Sequence, residues 1–327
     1  MGILVTGGAG YIGSHFIEEY RKSTTEKIVV IDDLSSGKIS NLPADIPLYK
    51  NDFSDSEILN NIFKDFEIHS LVHFAAKTSV TESFQKPDFY QEENASKAIS
   101  LFENAIQNGI KRIVFSSTAA VYGSPQNYLV SETDSTNPES PYGSSKLNAE
   151  MALKKMTLNH KDVNFAILRY FNVAGTNLDA NIGPSDQKAK HLIKACAEAA
   201  TGISLPMRIF GNDYPTKDGT CERDFIHVID LALAHISALN YVIESRENVV
   251  FNCGYGEALS VSDVVAVMQK VSNNPFEVEI LPRRSGDIPR VVADPTKIKK
   301  LTNWKPKHQS IEEICESSYK WELKNDN

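Results

Sequence analysis

The chain opens with a short apolar run, Ile3-Leu4-Val5-Thr6, that breaks at once into Gly7-Gly8-Ala9-Gly10-Tyr11-Ile12-Gly13-Ser14. No other stretch limits the available folds so tightly. Glycines at 7, 10 and 13 let the backbone turn sharply, approach a bulky anion, and start a helix whose first amides face negative charge. Apolar residues then recur at helical spacing, so the pattern reads strand, turn, helix. A glycine triplet also serves ordinary helix–strand packing. The second β-branched run favours the ligand-binding reading, because Val29-Val30-Ile31 ends in Asp32 and Asp33, with Asp32 19 residues beyond Gly13. A carboxylate at that place hydrogen-bonds the adenosine ribose of a dinucleotide. NAD is the expected cofactor: an extra 2′-phosphate would meet Asp32, and the loop that follows holds no arginine, only Lys38.

Strand-like runs at 2–6, 27–32, 70–74, 112–116 and 164–168 alternate with helical patterns at 12–22, 95–108 and 143–156. This alternation predicts an α/β fold, a doubly wound parallel (Rossmann) sheet with helices on both faces. After Gly175 the turn formers crowd together in Gly183-Pro184, Gly211-Asn212-Asp213-Tyr214-Pro215 and Asp218-Gly219. They predict a smaller, loop-rich α/β substrate domain. Residues 224–240 and 249–253 read again as helix and buried strand. The expected division is therefore 1–175 plus about 224–256 for the cofactor domain, and about 176–223 plus 257–327 for the substrate domain.

With 41% hydrophobic and 23% charged residues among 327, a sizeable core is expected, and the net charge of -8 disfavours nucleic acid or an anionic membrane as partner. An anionic ligand must then be held by local cations. Cys196, Cys221, Cys253 and Cys315 form no C-x-x-C pair, so neither a metal site nor a disulfide framework is expected, and a reducing cytoplasm fits. No apolar run approaches the ~18 residues of a membrane span, so no such span is expected. With the first strand starting so early, no signal peptide is expected.

Ser116-Ser117-Thr118-Ala119 follows a strand, and Tyr142-Gly143-Ser144-Ser145-Lys146 opens a helix after Pro141. Positions four apart share a helix face, so Tyr142 and Lys146 can meet one ligand. An ammonium beside a phenol favours phenolate and would make Tyr142 a usable base. Alone, this spacing is also that of any helix-surface pair; beside a glycine turn and strand-end hydroxyls it reads as chemistry.

These motifs resemble the extended short-chain dehydrogenase/reductase family. Further blocks resemble the UDP-glucose 4-epimerases in particular: His73-Phe74-Ala75-Ala76, Leu168-Arg169-Tyr170-Phe171-Asn172, Ile209-Phe210-Gly211-Asn212-Asp213-Tyr214-Pro215-Thr216, Arg223-Asp224-Phe225-Ile226-His227-Val228 and Pro282-Arg283-Arg284-Ser285-Gly286-Asp287. The likeness runs over nearly the whole chain. It implies interconversion of UDP-glucose and UDP-galactose through a 4-keto sugar, with Tyr142, Lys146 and Thr118 catalytic.

The resemblance also implies a wider site. Gly7, Gly10, Tyr11, Ile12, Gly13, Asp32, Asp33, Ser36, Gly37, Asp52, Phe53, Phe74, Ala75, Ala76, Lys77, Asn94, Ser116 and Phe171 would line the NAD beside Tyr142 and Lys146. The UDP phosphates would meet Asn172, Arg223 and Arg284, with Asp287 near a ribose hydroxyl and Phe210 against uracil. Thr78, His191, Leu192, Arg208 and Val291 complete the expected substrate wall. Some relatives carry lysine at the place of Thr78 and asparagine at that of His191, so it is open whether Lys77 or Thr78 reaches the nicotinamide. Dehydratases of the same family place Asp-Glu directly after the active-site threonine; Ala119-Ala120 stand here, so a keto intermediate should persist until it is reduced again. A homodimer through the 95–108 and 143–156 helices is the implied assembly.

Overall fold

The computed structural model describes residues 2–184, 191–203, 206–284 and 287–325. Seven parallel strands form the main sheet in the order Val249–Cys253, Asn164–Tyr170, Arg112–Thr118, Ile68–His73, Gly2–Thr6, Lys27–Ile31, Leu48–Tyr49. Alternate side chains along a strand face opposite ways, and two cores result. Ile3, Val5, Val30, Val72 and Leu168 pack with the helices Tyr11–Ser23 and Val228–Ser245 on one face. Leu4, Val29, Leu71, Phe115 and Ile167 pack with Ser56–Asp65, Lys97–Gln107 and Pro141–Asn159 on the other. The chain is doubly wound, and its winding direction reverses between Gly2–Thr6 and Ile68–His73. Ligands of such sheets bind at that crevice.

Local chemistry sets the element ends. Ser140 Oγ accepts the Gly143 amide at 3.0 Å and Pro141 takes the first helical position, so the helix carrying Tyr142 starts where a cap and a fixed φ both favour it. The expected helix 95–108 is different in detail. Helical chain already begins at Pro87–Gln91, and a π turn, Glu92–Ser96, intervenes before Lys97–Gln107.

The helix Val228–Ser245 also corrects the reading of membrane-length runs. By length and composition alone it is long and apolar enough to cross a bilayer. Val228, Leu231, Ala232, Ala234, Ala238, Leu239 and Val242 are nevertheless fully buried in the protein, as in a core helix.

A four-stranded sheet, Leu259–Ser260, Glu222–Arg223, Arg290–Ala293 and Leu129–Val130, is built mainly from the chain's second half and recruits one strand from the first. Two smaller pairs, Asn172–Ala174 with Phe225–His227 and Met207–Phe210 with Val278–Leu281, complete the β structure among the described residues.

Candidate active site

Close approach of backbone to backbone shapes the glycine turn. Gly7 has φ +70°, and a Cβ on it would lie 2.6 Å from the Ala75 nitrogen; one on Gly13 would collide with the Gly7 carbonyl. Gly10 differs. A Cβ there would meet only the Gly7 oxygen, at 3.2 Å, so its outer side is open. No side chain caps the helix Tyr11–Ser23, which leaves its first amides for an anion such as a pyrophosphate.

Asp32 is 6% exposed, its Oδ2 accepting the Ala9 amide at 2.9 Å and its Oδ1 the Leu34 amide at 2.8 Å. Burial raises this carboxyl above its usual range against the pull of those amides. Each oxygen keeps a further lone pair for a ribose hydroxyl. Asp33 and Ser36 are exposed, and Gly37 packs so closely on Ala9 that a Cβ would lie 2.8 Å from its carbonyl carbon. Asp52 is paired with Lys97 at 2.7 Å; burial pushes its carboxyl up, but Lys97 and Ser54 hold it below the usual range. Phe53 tilts against His73 at 5.0 Å, and Phe74 lies between Phe16 and His235. Ala75, Ala76 and Ile12 are half-buried. Tyr11 donates its hydroxyl to the Gly175 carbonyl at 2.5 Å, which leaves its ring and backbone, not its oxygen's proton, to face a cofactor.

The choice between Lys77 and Thr78 takes an unexpected form. Lys77 Nζ donates to Ser35 Oγ at 3.0 Å and its charge reaches Asp32, so it leans toward the adenosine side. Thr78 is exposed. Asn94, in the π turn, grips the Lys77 backbone from both sides, accepting its amide at 2.8 Å and donating to its carbonyl at 2.9 Å, and donates to Ser145 Oγ at 3.3 Å. Such π turns are frequent where a side chain must be aimed at a site.

At the end of Arg112–Thr118 the three hydroxyls diverge. Ser116 Oγ is turned behind the sheet onto His235 Nε2 at 2.8 Å, so its expected place beside the cofactor is not taken by its hydroxyl. Ser117 Oγ donates to Glu150 at 2.5 Å. Only Thr118 meets Tyr142, hydroxyl to hydroxyl. Strand alternation sends neighbouring hydroxyls to opposite faces, which a run of three in the sequence does not reveal.

Tyr142 is 6% and Lys146 1% exposed. Lys146 Nζ sits 4.6 Å from the centre of the Phe115 ring; burial brings its pKa down to about 7, with Glu150 one turn along opposing. The expected depression of the phenol by this ammonium is not found. Burial raises Tyr142, and Thr118 is the one group that pulls it back. A lysine itself only partly protonated near neutrality is a weak source of charge for its neighbour.

Around the mouth, Arg223 and Val291 are register partners on adjacent parallel strands. Val291 packs with the cluster of Val121, Tyr122, Val130, Phe171 and Ala293, next to Ala119. Asn172 is exposed one residue beyond buried Phe171. Arg284 binds Asp287 at 3.0 Å and its guanidinium lies 4.5 Å over the Phe210 ring, so one face of the expected uracil platform is already covered. Arg208, on the same strand face as Phe210, pairs with Glu279 at the surface. His191 is exposed before Leu192–Thr201, and Leu192 leans on the main core. Reading the sequence missed Ser145, Asp224 and the buried pair Glu150–Arg169; only Glu150 carried a signal, its place four residues after Lys146.

A parallel sheet with a glycine turn at its switch point and a buried Tyr-x-x-x-Lys helix is the mark of the extended short-chain dehydrogenase/reductases. The family described as GDP-mannose 4,6 dehydratase matches residues 4–318. A UDP-glucose 4-epimerase of Azospirillum brasilense is 41% identical over 98% of this chain and 91% of its own. The structure of the UDP-Glc/GlcNAc 4-epimerase from Campylobacter jejuni shares 43% identity over 99% of both chains with a TM-score of 0.87. That of the Stenotrophomonas maltophila UDP-glucose 4-epimerase, solved with NAD and formylated UDP-arabinopyranose, shares 34% over 100% and 99% with a TM-score of 0.96. The chain belongs to the UDP-glucose 4-epimerase family.

Proposed function

We propose that this protein interconverts UDP-glucose and UDP-galactose by 4-epimerisation through a 4-keto sugar, keeping NAD bound throughout. One observation carries the reading: Tyr142 and Thr118 join hydroxyls at the end of a strand of the same sheet that carries the glycine turn, while Ala119-Ala120 put no acid or base next to them. The open Gly10 flank, the uncapped helix amides and Asp32 suit the dinucleotide. NAD, when bound, would supply the hydride acceptor and donor for C4. Tyr142 takes the proton of the sugar 4-hydroxyl, with Thr118 bridging the two oxygens. Lys146, four residues along the same helix face, stands beside the reacting groups with a proton it holds only partly near neutrality. Asn172, Arg223 and Arg284 hold the diphosphate, where guanidinium forks suit phosphate oxygens. The protein incubated with UDP-galactose and NAD should form UDP-glucose without free NADH. NADH accumulating with sugar consumed would mark a dehydrogenase, and no UDP-glucose would end the proposal.

Substrate breadth rests on Val291. Its neighbours Ala119 and Phe171 flank the catalytic threonine and Asn172, and valine leaves room that a ring would fill. UDP-N-acetylglucosamine is therefore expected to turn over beside UDP-glucose. Val291→Tyr should depress the N-acetyl reaction by about 10-fold or more relative to the hexose reaction, the scale of a steric clash felt by one substrate only. Equal losses in paired assays would remove Val291 as the gate.

The two-part division we favour, at about 176, 224 and 257, is supported by Val249–Cys253 joining the cofactor sheet and by Glu222–Arg223 and Arg290–Ala293 joining the other, which also takes Leu129–Val130 from the first part. Four free, buried cysteines suit a cytoplasmic setting. The assembly we favour is a homodimer. The apolar face of Lys97–Gln107 is covered by the sheet, but Met151 and Leu158 on the neighbouring helix are 59% and 73% exposed. Light scattering at micromolar concentration should give twice the chain mass; a monomer would rule the dimer out.

A further inference from the structure

Asp224 follows Arg223 directly, yet its side chain faces inward and is completely buried. Its Oδ1 accepts the Tyr255 amide at 2.9 Å, and its Oδ2 accepts the amides of Gly256 at 2.9 Å and Ala293 at 3.1 Å. Its carbonyl accepts the Asn172 amide at 3.0 Å. One residue thus ties together four stretches of chain. Two of them leave the edge of the cofactor sheet, after Asn164–Tyr170 and after Val249–Cys253; the other two are the strands that carry Arg223 and Val291. The fit is close from behind as well, since a Cβ on Gly254 would lie 2.5 Å from Oδ2.

A carboxylate is suited to this place because it only accepts, and all three groups facing it only donate. An amide of the same shape cannot match them. Whichever way an asparagine were turned, its NH2 would oppose at least one backbone N–H in a fully buried site, and the strand behind that N–H would have to move.

We infer that Asp224 is a positioning residue for substrate, fixing the strands of Arg223 and Val291 and the Asn172 backbone at a set distance from the catalytic hydroxyls. Asp224 touches neither sugar nor cofactor. Its influence falls first on how the UDP end is held; the glycine turn is reached only at a further remove, through Asn172–Ala174 and the Gly175 carbonyl that accepts the Tyr11 hydroxyl. Loss of binding shared by ground and transition states raises KM and spares kcat.

The inference rests on the epimerase reading, so unaltered protein is assayed in parallel: if it fails to form UDP-glucose from UDP-galactose, that reading fails first. Given an active parent, Asp224→Asn should raise KM for UDP-galactose, and Kd for UDP, by about 10-fold or more, with kcat within about threefold and bound NAD unchanged. Gly254→Ala, which keeps the carboxylate but crowds it, should shift KM in the same direction. If the asparagine variant does not fold, Gly254→Ala decides on the same criterion. Unchanged KM, a fall confined to kcat, loss of NAD alongside UDP, or failure of both variants to fold would each overturn the positioning role.

Discussion

Tyr142→Phe is expected to lower turnover of UDP-galactose by at least ~100-fold, the usual scale for a general acid–base group, while the protein stays folded and binds NAD. The substitution removes one oxygen from a buried ring. The ring's edge contact with Tyr90, at 6.4 Å between centres, survives it. The hydroxyl lost has Thr118 as its partner, and Thr118 Oγ1 keeps a second bond, accepting the Ala120 amide at 3.1 Å. No buried polar group is orphaned, so the penalty falls on proton transfer and not on stability. Measuring kcat together with bound NAD and a melting curve separates the two. Near-normal turnover would take Tyr142 out of the mechanism.

How far such a site can be read from sequence depends on what fixes each part. The glycine turn and Asp32 were legible because their function constrains backbone conformation and spacing within some 25 residues, which a linear pattern preserves. The strands were legible from β-branched runs buried on both faces, although the two-residue edge strand Leu48–Tyr49 is too short to show a period. The π turn at Asn94 was invisible, since one extra residue in a helix leaves the apolar spacing almost intact. Electrostatics was the least legible part. Tyr142 and Lys146 do share one helix, but the charge on Lys146 depends on how completely the rest of the fold buries it, including the strand of Phe115 some 30 positions away. Ser116, Arg208 and Leu192 show the same limit: the resemblance implied a place in the site for each, while their side chains are held by His235, Glu279 and the core respectively.

The same distant packing makes the Glu150–Arg169 pair a sensitive point of the fold. Glu150 is fully buried and Arg169 is 3% exposed, and they bond twice, Nε to Oε1 at 2.9 Å and Nη2 to Oε2 at 2.6 Å. Ser117 adds a bond to the carboxylate, and Arg169 also donates to the Tyr122 hydroxyl at 3.0 Å. The pair joins the helix of Tyr142 to the strand Asn164–Tyr170. Arg169→Met would leave a buried carboxylate with Ser117 and the half-exposed Lys154 as its nearest partners, and should cost about 3–5 kcal/mol in urea unfolding. Removing both charges with Glu150→Leu and Arg169→Met should recover much of that loss, because two apolar groups need no desolvated partner. Activity should not follow stability. Glu150 is the group that opposes the depression of Lys146, so the double variant leaves a lysine that loses its proton at still lower pH. Its turnover should therefore stay below that of the parent near neutrality even where its unfolding midpoint has returned. A double variant as unstable as Arg169→Met would show that shape, not the uncompensated charge, sets the cost; one with full activity would show that Lys146 does not depend on Glu150.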